Sequence, residues 1–507
     1  MKAEPIWTAA CARRVDALSI NKFKIPQTTL MDRAGAAVAE VARPTGKSFL
    51  VLAGDGNNGG DALIAAKILA ADPTLKVTIV RVGNAAPEIP DNEIFNCIID
   101  GIFGLGFRGP LDPKSPAGIA LKVAAEIKSR HGSVVVAVDL PSGLSCDDAS
   151  QDFAILPADD TVTFGGMKAV HAIAPARDLC GRIHCIDIGF SSEAVSMALN
   201  EEEPAFAVAH SRDLLPFNPW SELKPAAHKY DRGHVLVMGG SAGKIGAPVL
   251  SALAALRSGA GWATLALPDG ITSNVMIPPD LTSEALWARG RGRSGIDAKK
   301  LEAFLQARKV RAVVVGPGTM ENPLDAKSLT VLAEFSTKGF VVLDAGALHG
   351  IFDIMHKARV KFTPGQAVLT PHPGEWARLS QKKITVPSPL GLASTRAAHD
   401  FCITFGLHLL YKHSTPVLCG PDRFNLGAGI TATALAFNEG SNIMGRAGTG
   451  DVLAGCIAAH GAIDCDAATA TMRALAVVSA AARMAASQVG AHAVLPSDII
   501  GMLGRVS

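Results

Sequence analysis

The chain carries two successive series of short apolar runs, and almost every run stops at a glycine, an aspartate or a serine. The first series is "FLVLA" (49–53), "KVTIVRV" (76–82), "FNCIID" (95–100), "SVVVAVDL" (133–140), "TVTF" (161–164) and "IHCIDI" (183–188). The second is "HVLVMGGS" (234–241), "ATLAL" (263–267), "RAVVVGPG" (311–318), "FVVLDAGAL" (340–348), "AVLTPHPGE" (367–375) and "LHLLYKH" (407–413). Runs this short, with helical stretches between them, form the strands of buried, mainly parallel sheets. One such stretch, 27–42, puts Leu30, Met31, Ala34, Val38 and Val41 on one helical face. The fold class is α/β, built as three-layer α/β/α domains. In open sheets of this kind ligands sit at the carboxyl ends of the strands. The polar punctuation is therefore where function is expected.

At 507 residues the chain is too long for one core, and two domains are expected. Residues 191–225 hold an acidic triplet, four prolines and no sustained period, and read as a linker or surface excursion. The expected division is a domain at 1–208, a linker at 209–226 and a domain at 227–507. A net charge of +2 and 5 % aromatic residues argue against nucleic acid or a membrane surface as partner. Nine cysteines without a C-x-x-C pair read as small buried hydrophobes of a reducing compartment. With neither a signal peptide nor a long apolar span, the expected location is the cytoplasm.

The loop "GDGNNGGDA" (54–62) contains G-x-G-x-x-G directly after a strand, the pattern of a dinucleotide-binding turn. Such a turn has no use for a carboxylate, and Asp61 would repel a phosphate held beside it. Nor does the next strand end in the acidic residue that binds a ribose. Oxygen-bearing side chains recur at two more strand ends, Asp100 in "IIDGIFGLGFRGP" and Asp139 with Ser142 in "VDLPSGL". Asn58, Asp100 and Ser142 could coordinate a hard cation through oxygen alone, and the single formal charge of Asp100 suits a monovalent ion. Asp139, ending an apolar strand, is expected to have a raised pKa and to act in proton transfer.

These three stretches resemble the NAD(P)H-hydrate epimerase family over about residues 10–200. The resemblance implies a Rossmann-like domain, potassium held by Asn58, Asp100 and Ser142, and Asp139 as catalytic acid/base. It implies substrate contacts at Asn57, Asn58, Gly59, Gly60 and Asp61, and at Gly104, Leu105, Gly106, Phe107, Arg108, Gly109 and Pro110. Ala62 stands where that family usually has glycine, and Leu105 where it often has threonine.

Near the C-terminus, "GRAGTGDVLAG" (445–455) puts Gly448, Thr449 and Gly450 ahead of a helix beginning near Asp451. Free N–H groups at a helix N-terminus receive an anion. A carboxylate there fits a base that deprotonates a hydroxyl attacking a phosphoryl group. The turn resembles the anion hole and catalytic aspartate of ribokinase-like enzymes. With "AHKYDRGHVLVMGGS", "VVGPG", "LDAGAL" and "LTPHPGE" in order, residues 225–505 resemble ADP- or ATP-dependent NAD(P)H-hydrate dehydratases. That resemblance implies substrate contacts at Ala247, Gly318, His372 and Asp451. It also implies ADP or ATP contacts at Lys412, His413, Ser414, Thr415 and Pro416 and at Gly448, Thr449 and Gly450. His413 replaces a family glycine, Arg446-Ala447 a Thr-Gly type pair, and Gly346 a common second aspartate.

The expected function is bifunctional repair of hydrated NADH and NADPH (NADHX and NADPHX). The R and S forms are epimerised, and the S form is dehydrated at the expense of ADP or ATP with Mg2+ on the nucleotide. Other copies of the chain are the expected macromolecular partner. The alternatives are a ribokinase-like small-molecule kinase fused to a non-catalytic nucleotide-binding domain, and, behind it, an NAD-dependent dehydrogenase.

Overall fold

The computed structural model describes residues 3–506 except 86, 91–92, 148–155, 203, 205, 210–227, 270, 272–275, 288–294, 381–391, 438–441 and 464–465. Most of the expected linker at 209–226 lies outside the described residues.

The described strands form two sheets. The smaller has six strands, all parallel, in the spatial order Lys76–Arg81, Ser48–Ala53, Cys97–Gly101, Val134–Val138, Asp160–Phe164 and Arg182–Ile186. The chain moves from Ser48–Ala53 to a neighbour on one side and then to Cys97–Gly101 on the other. The topological switch point therefore lies between the two strands that carry the Gly54–Asp61 and Asp100 loops. The central strands are buried on both faces, as all-apolar runs such as Phe49–Ala53 and Val135–Val138 require. Gln27–Ala42 and Asn57–Ala70 are helices packed on one face.

The larger sheet has eleven strands. Seven run parallel: Thr282–Glu284, Trp262–Ala266, His234–Met238, Ala312–Val315, Phe340–Leu343, Ala367–Leu369 and His408–Tyr411. An antiparallel hairpin, Val417–Gly427 with Ile430–Phe437, follows. Beyond it lie Phe206–Ala209 and, at the edge, Ala3–Pro5.

Strand Phe206–Ala209 and the helix before it revise the reading of 191–225 as a linker. Ser192–Glu201 is a helix whose first turn is capped by Ser191 Oγ accepting from the Ala194 N–H. Phe206–Ala209 is a buried strand of the larger sheet, and the expected boundary at 208 falls within it. The short apolar "FAVA" finds its partners in the C-terminal hairpin, across more than two hundred residues of chain. A single apolar core then runs from Leu140, Val170 and Ile173 to Phe352, Tyr411 and Val417. Seven of the eight described cysteines are buried. Cys185 is exposed, contrary to expectation, because it lies on the edge strand of the smaller sheet.

Candidate functional sites at the two switch points

The 54–62 loop turns sharply because its glycines carry no Cβ. A Cβ on Gly54 would stand 2.1 Å from the Ile102 carbonyl oxygen, and one on Gly59 only 1.9 Å from that of Gly54. These two glycines let strand end, loop and helix meet backbone to backbone, whereas Gly56 has nothing within 4 Å. Helix Asn57–Ala70 starts here, so Asn57, Asn58 and Asp61 project from its first turns. Ala62, the departure from the glycine of the resembled family, is fully buried against Gly101.

A cavity of about 860 Å³ opens above the switch point. Its walls include Asn57, Asn58, Asp61, Gly104–Arg108 and Asp139, together with Asp16 and Lys168. Gly59 and Gly60 lie in the first turn of helix Asn57–Ala70, and Gly109 and Pro110 follow Arg108 in its loop.

Asn58, Asp100 and Ser142 converge from three strand ends. Ser142 Oγ donates to Asp100 Oδ1 at 2.6 Å and accepts from the Phe103 N–H at 2.9 Å. The Ser142 N–H donates to Asp100 Oδ2 at 2.8 Å. Asn58 Nδ2 donates to the Phe103 carbonyl at 2.8 Å. Asp100 is fully buried with no cationic partner among the described residues, and burial pushes its carboxyl pKa up. A buried carboxylate amid oxygen donors fits a weakly dehydrated monovalent cation.

Asp139 departs from expectation. Burial pushes its pKa up, but the ammonium of Lys168, hydrogen bonds from Lys168 and Thr163, and His171 more than offset this, and the net shift is downward. Lys168 Nζ lies 2.9 Å from Asp139 Oδ1, 2.7 Å from Thr163 Oγ1 and 3.2 Å from the Phe164 carbonyl. Its three donors are thereby used. Thr163 Oγ1 donates to the same carboxylate oxygen at 2.9 Å. Asp139 is therefore held as an ionised carboxylate.

Its backbone is strained as well, with φ at +64°. His171 holds it there. The Lys168 N–H donates to His171 Nδ1 at 3.0 Å, so Nε2 carries the hydrogen and donates to the Asp139 carbonyl at 2.8 Å. Burial, followed by the Lys168 charge, pushes the His171 pKa down to about 3, which keeps the ring neutral. Lys168, His171, Thr163 and Asp16 escaped the sequence reading. The available signal was the basic "GGMKAVHA" directly following a strand of the same sheet.

The second site gathers at the switch point of the larger sheet. Gly318, at φ +73°, would bring a Cβ to 2.3 Å from the Lys244 carbonyl and 3.2 Å from Ala247 Cβ. Its carbonyl accepts from Ser241 Oγ at 2.8 Å. Helix Thr449–Gly461 starts from Gly448 at φ +98° and carries Asp451 in its first turn. Thr449 Oγ1 is buried without a hydrogen-bond partner. Asp451's pKa is raised to about 7, first by burial, then by Asp344 and Glu375 against the opposing pull of Lys412. Lys412 Nζ lies 2.5 Å from Asp344 Oδ1, which also accepts from Thr370 Oγ1 at 2.8 Å.

His372 is half exposed, and its Nδ1 accepts from the Gly374 and Glu375 N–H groups, capping helix Pro373–Ser380. Glu375 is buried and accepts from the His372 N–H at 2.9 Å. Asp344 and Glu375, which the sequence did not single out, are thus near enough to Asp451 for their charges to raise its pKa. His413 stacks on Tyr411 at 5.9 Å between centroids, and its Nδ1 lies 3.0 Å from Ser414 Oγ. Thr415 faces the first domain, where the buried Ala174 N–H donates to its Oγ1 at 3.2 Å. Pro416, its chain neighbour, anchors the hairpin by accepting from the Phe437 N–H.

Comparisons with known proteins agree with this division. Residues 235–505 match the family model described as NAD(P)H-hydrate dehydratase. Segments 27–92 and 74–170 match that of the YjeF-related protein N-terminus. A bifunctional NAD(P)H-hydrate repair enzyme from Pyrobaculum aerophilum is 30 % identical over 95 % of this chain and 94 % of its own. One from Archaeoglobus fulgidus is 33 % identical over 70 % and 73 %. The crystal structure of a Bacillus subtilis ADP/ATP-dependent NAD(P)H-hydrate dehydratase covers 58 % of this chain and 95 % of its own at 23 % identity, with a TM-score of 0.41. The chain belongs to the family of bifunctional NAD(P)H-hydrate repair enzymes, an epimerase-type domain followed by a dehydratase domain.

Proposed function

We propose that the two sites divide the repair of NADHX and NADPHX between them. The cavity at Asn57–Asp61, Gly104–Pro110 and Asp139 interconverts the R and S forms at C6 of the hydrated nicotinamide ring. The site at Ala247, Gly318, His372 and Asp451 takes the S form and dehydrates it with ADP or ATP bound at Lys412–Pro416 and Gly448–Gly450. The observation that carries this reading is Asp451, a half-buried carboxylate in the first turn of a helix that no side chain caps, its pKa raised to about 7 by burial and by Asp344. At neutral pH it is available as a base beside amides that favour an anion.

Hydroxide is a poor leaving group and phosphate a good one. Asp451 takes the proton of the C6 hydroxyl as its oxygen attacks the terminal phosphorus, and the phosphorus–oxygen bond to the nucleotide breaks. The Gly448 and Gly450 amides hold the transferring group, the Thr449 N–H being donated to the Arg446 carbonyl. The lone pair of the ring nitrogen then expels phosphate, and loss of the C5 proton restores the ring double bond. Lys412, fixed by Asp344 next to Gly450, contributes positive charge to the phosphates.

Mg2+ would enter with the nucleotide and be held chiefly by its phosphates, since no three acidic or histidine side chains among the described residues are grouped to ligate a metal. It would supply charge neutralisation on the nucleotide phosphates. Potassium, bound by Asn58, Asp100 and Ser142, would fix the 54–61 loop and the 102–104 turn against each other. The cell compartment proposed is the cytoplasm, and no helix among the described residues is long and apolar enough to cross a membrane.

The test is to incubate the protein with pure S-NADHX and ADP or ATP, following the near-ultraviolet absorbance of the reduced ring and the phosphate released. A kinase would instead accumulate a stable phosphorylated product without that absorbance.

A further inference from the structure

The epimerase cavity holds more acids than its cations can balance. Asp139 has Lys168, whose three donors are already used. Asp16 and Asp61 line the same cavity with no ion pair among the described residues. Asp61 is about nine-tenths buried, and its Oδ1 has no hydrogen-bond partner. The other charged groups of the wall are Asp55, Arg13 and Arg108, and Arg13 Nη2 is engaged by the Leu105 carbonyl at 3.0 Å. A buried carboxyl with an unpartnered oxygen, set among acids, takes a proton instead of carrying charge.

We propose that Asp61 is the proton donor of the epimerase reaction, paired with Asp139 as the proton acceptor. The proposal rests on the epimerase reading of this cavity and assigns the acid that reading lacks. The proton of Asp61 passes to the C6 hydroxyl oxygen. The C6–O bond breaks, its electron pair leaves with water, and the ring-nitrogen lone pair closes an N1=C6 bond. Water then adds to the opposite face of C6, giving up a proton to Asp139 as the N1=C6 pair returns to nitrogen. A proton passes from Asp139 back to Asp61 through cavity water, and the cycle closes with no net change of redox state.

The electrostatics agree. Burial, then Asp139 and Asp16, push the Asp61 pKa up to about 8, while Asp139 is shifted down. Two carboxyls in one cavity are thus split into a protonated and an ionised member, the arrangement acid–base catalysis needs. Because the folded pKa of Asp61 is raised, its donor form is present below about pH 8 and is lost above it.

The experiment is R/S interconversion by the full chain, wild type against Asp61→Asn, across pH. Asparagine replaces a neutral carboxyl without changing charge, and substrate binding to the variant, measured by fluorescence titration, reports on the fold. The expected result is a loss of kcat of about 10²–10⁴-fold with binding retained. The wild type should also lose activity above about pH 8, and Asp61→Asn should lack that limb. Retention of more than about a tenth of the wild-type rate, or the same alkaline limb in the variant, overturns the assignment while the epimerase reading stands. A wild type that fails to interconvert the two forms overturns both.

Discussion

Lys168 Nζ lies 2.9 Å from Asp139 Oδ1, and both side chains are almost completely buried. Removing one member of such a pair leaves an uncompensated buried charge, at a cost of about 3–5 kcal/mol. Lys168→Met should destabilise the first domain by that order, measured by chemical denaturation. It should also allow the Asp139 pKa to rise, because burial would no longer be opposed by the ammonium. The ionised form of Asp139 is lost as pH falls through its pKa, so the acid limb of epimerase activity should move to higher pH in the variant. A purely structural role for Lys168 would lower stability and leave that limb in place.

Asp451 gives a second pH signature. Its base form is present above about pH 7. Dehydration of S-NADHX should fall as pH drops below that value, and Asp451→Asn should lose about 10²–10⁴-fold in rate with substrate binding retained. A flat profile from pH 5 to 8, the range roughly spanning physiological titrations, would remove Asp451 from proton transfer.

The cation assignment predicts that Asp100→Ala weakens substrate binding in the first domain. Interconversion by the wild type should depend on potassium over a large organic cation, and the variant should lose that dependence. Equal activity of the wild type in both salts would contradict the assignment of Asn58, Asp100 and Ser142.

Thr415 joins the two domains at a buried hydrogen bond from the Ala174 N–H. Thr415→Val leaves that donor unpaired, and the expected loss is about 1–3 kcal/mol. Thr415→Ser keeps the hydroxyl and should retain most of the stability. Thermal melts of the two variants decide whether the contact matters to the fold.

Most of the parallel strands were legible as short, largely apolar runs with a polar stop, and helix Gln27–Ala42 because its apolar face repeats with helical spacing, whereas Thr282–Glu284, three polar residues, was not. The hairpin Val417–Phe437 was not, since "PDRFNLGAGI" at its tip is largely exposed and shows no apolar run. The strands Ala3–Pro5 and Phe206–Ala209 are too short to announce themselves, and their partners are remote in sequence. At the site, motif residues such as Asp100, Asp139 and Asp451 could be read, but their ionisation could not. Burial at a strand end suggested a raised pKa for Asp139. The ammonium that reverses it comes from Lys168, 29 residues further along the chain.

If two sites act in sequence on one damaged cofactor, each can be silenced without the other. The direct measurement is recovery of the near-ultraviolet band from an R/S mixture of NADHX with ADP or ATP, compared among wild type, Asp139→Asn and Asp451→Asn. The wild type should recover the band fully and Asp451→Asn should recover none of it. Asp139→Asn should recover the S form only, converting pure S substrate at the wild-type rate. Failure of Asp139→Asn on pure S substrate, or substantial recovery by Asp451→Asn, would contradict this division.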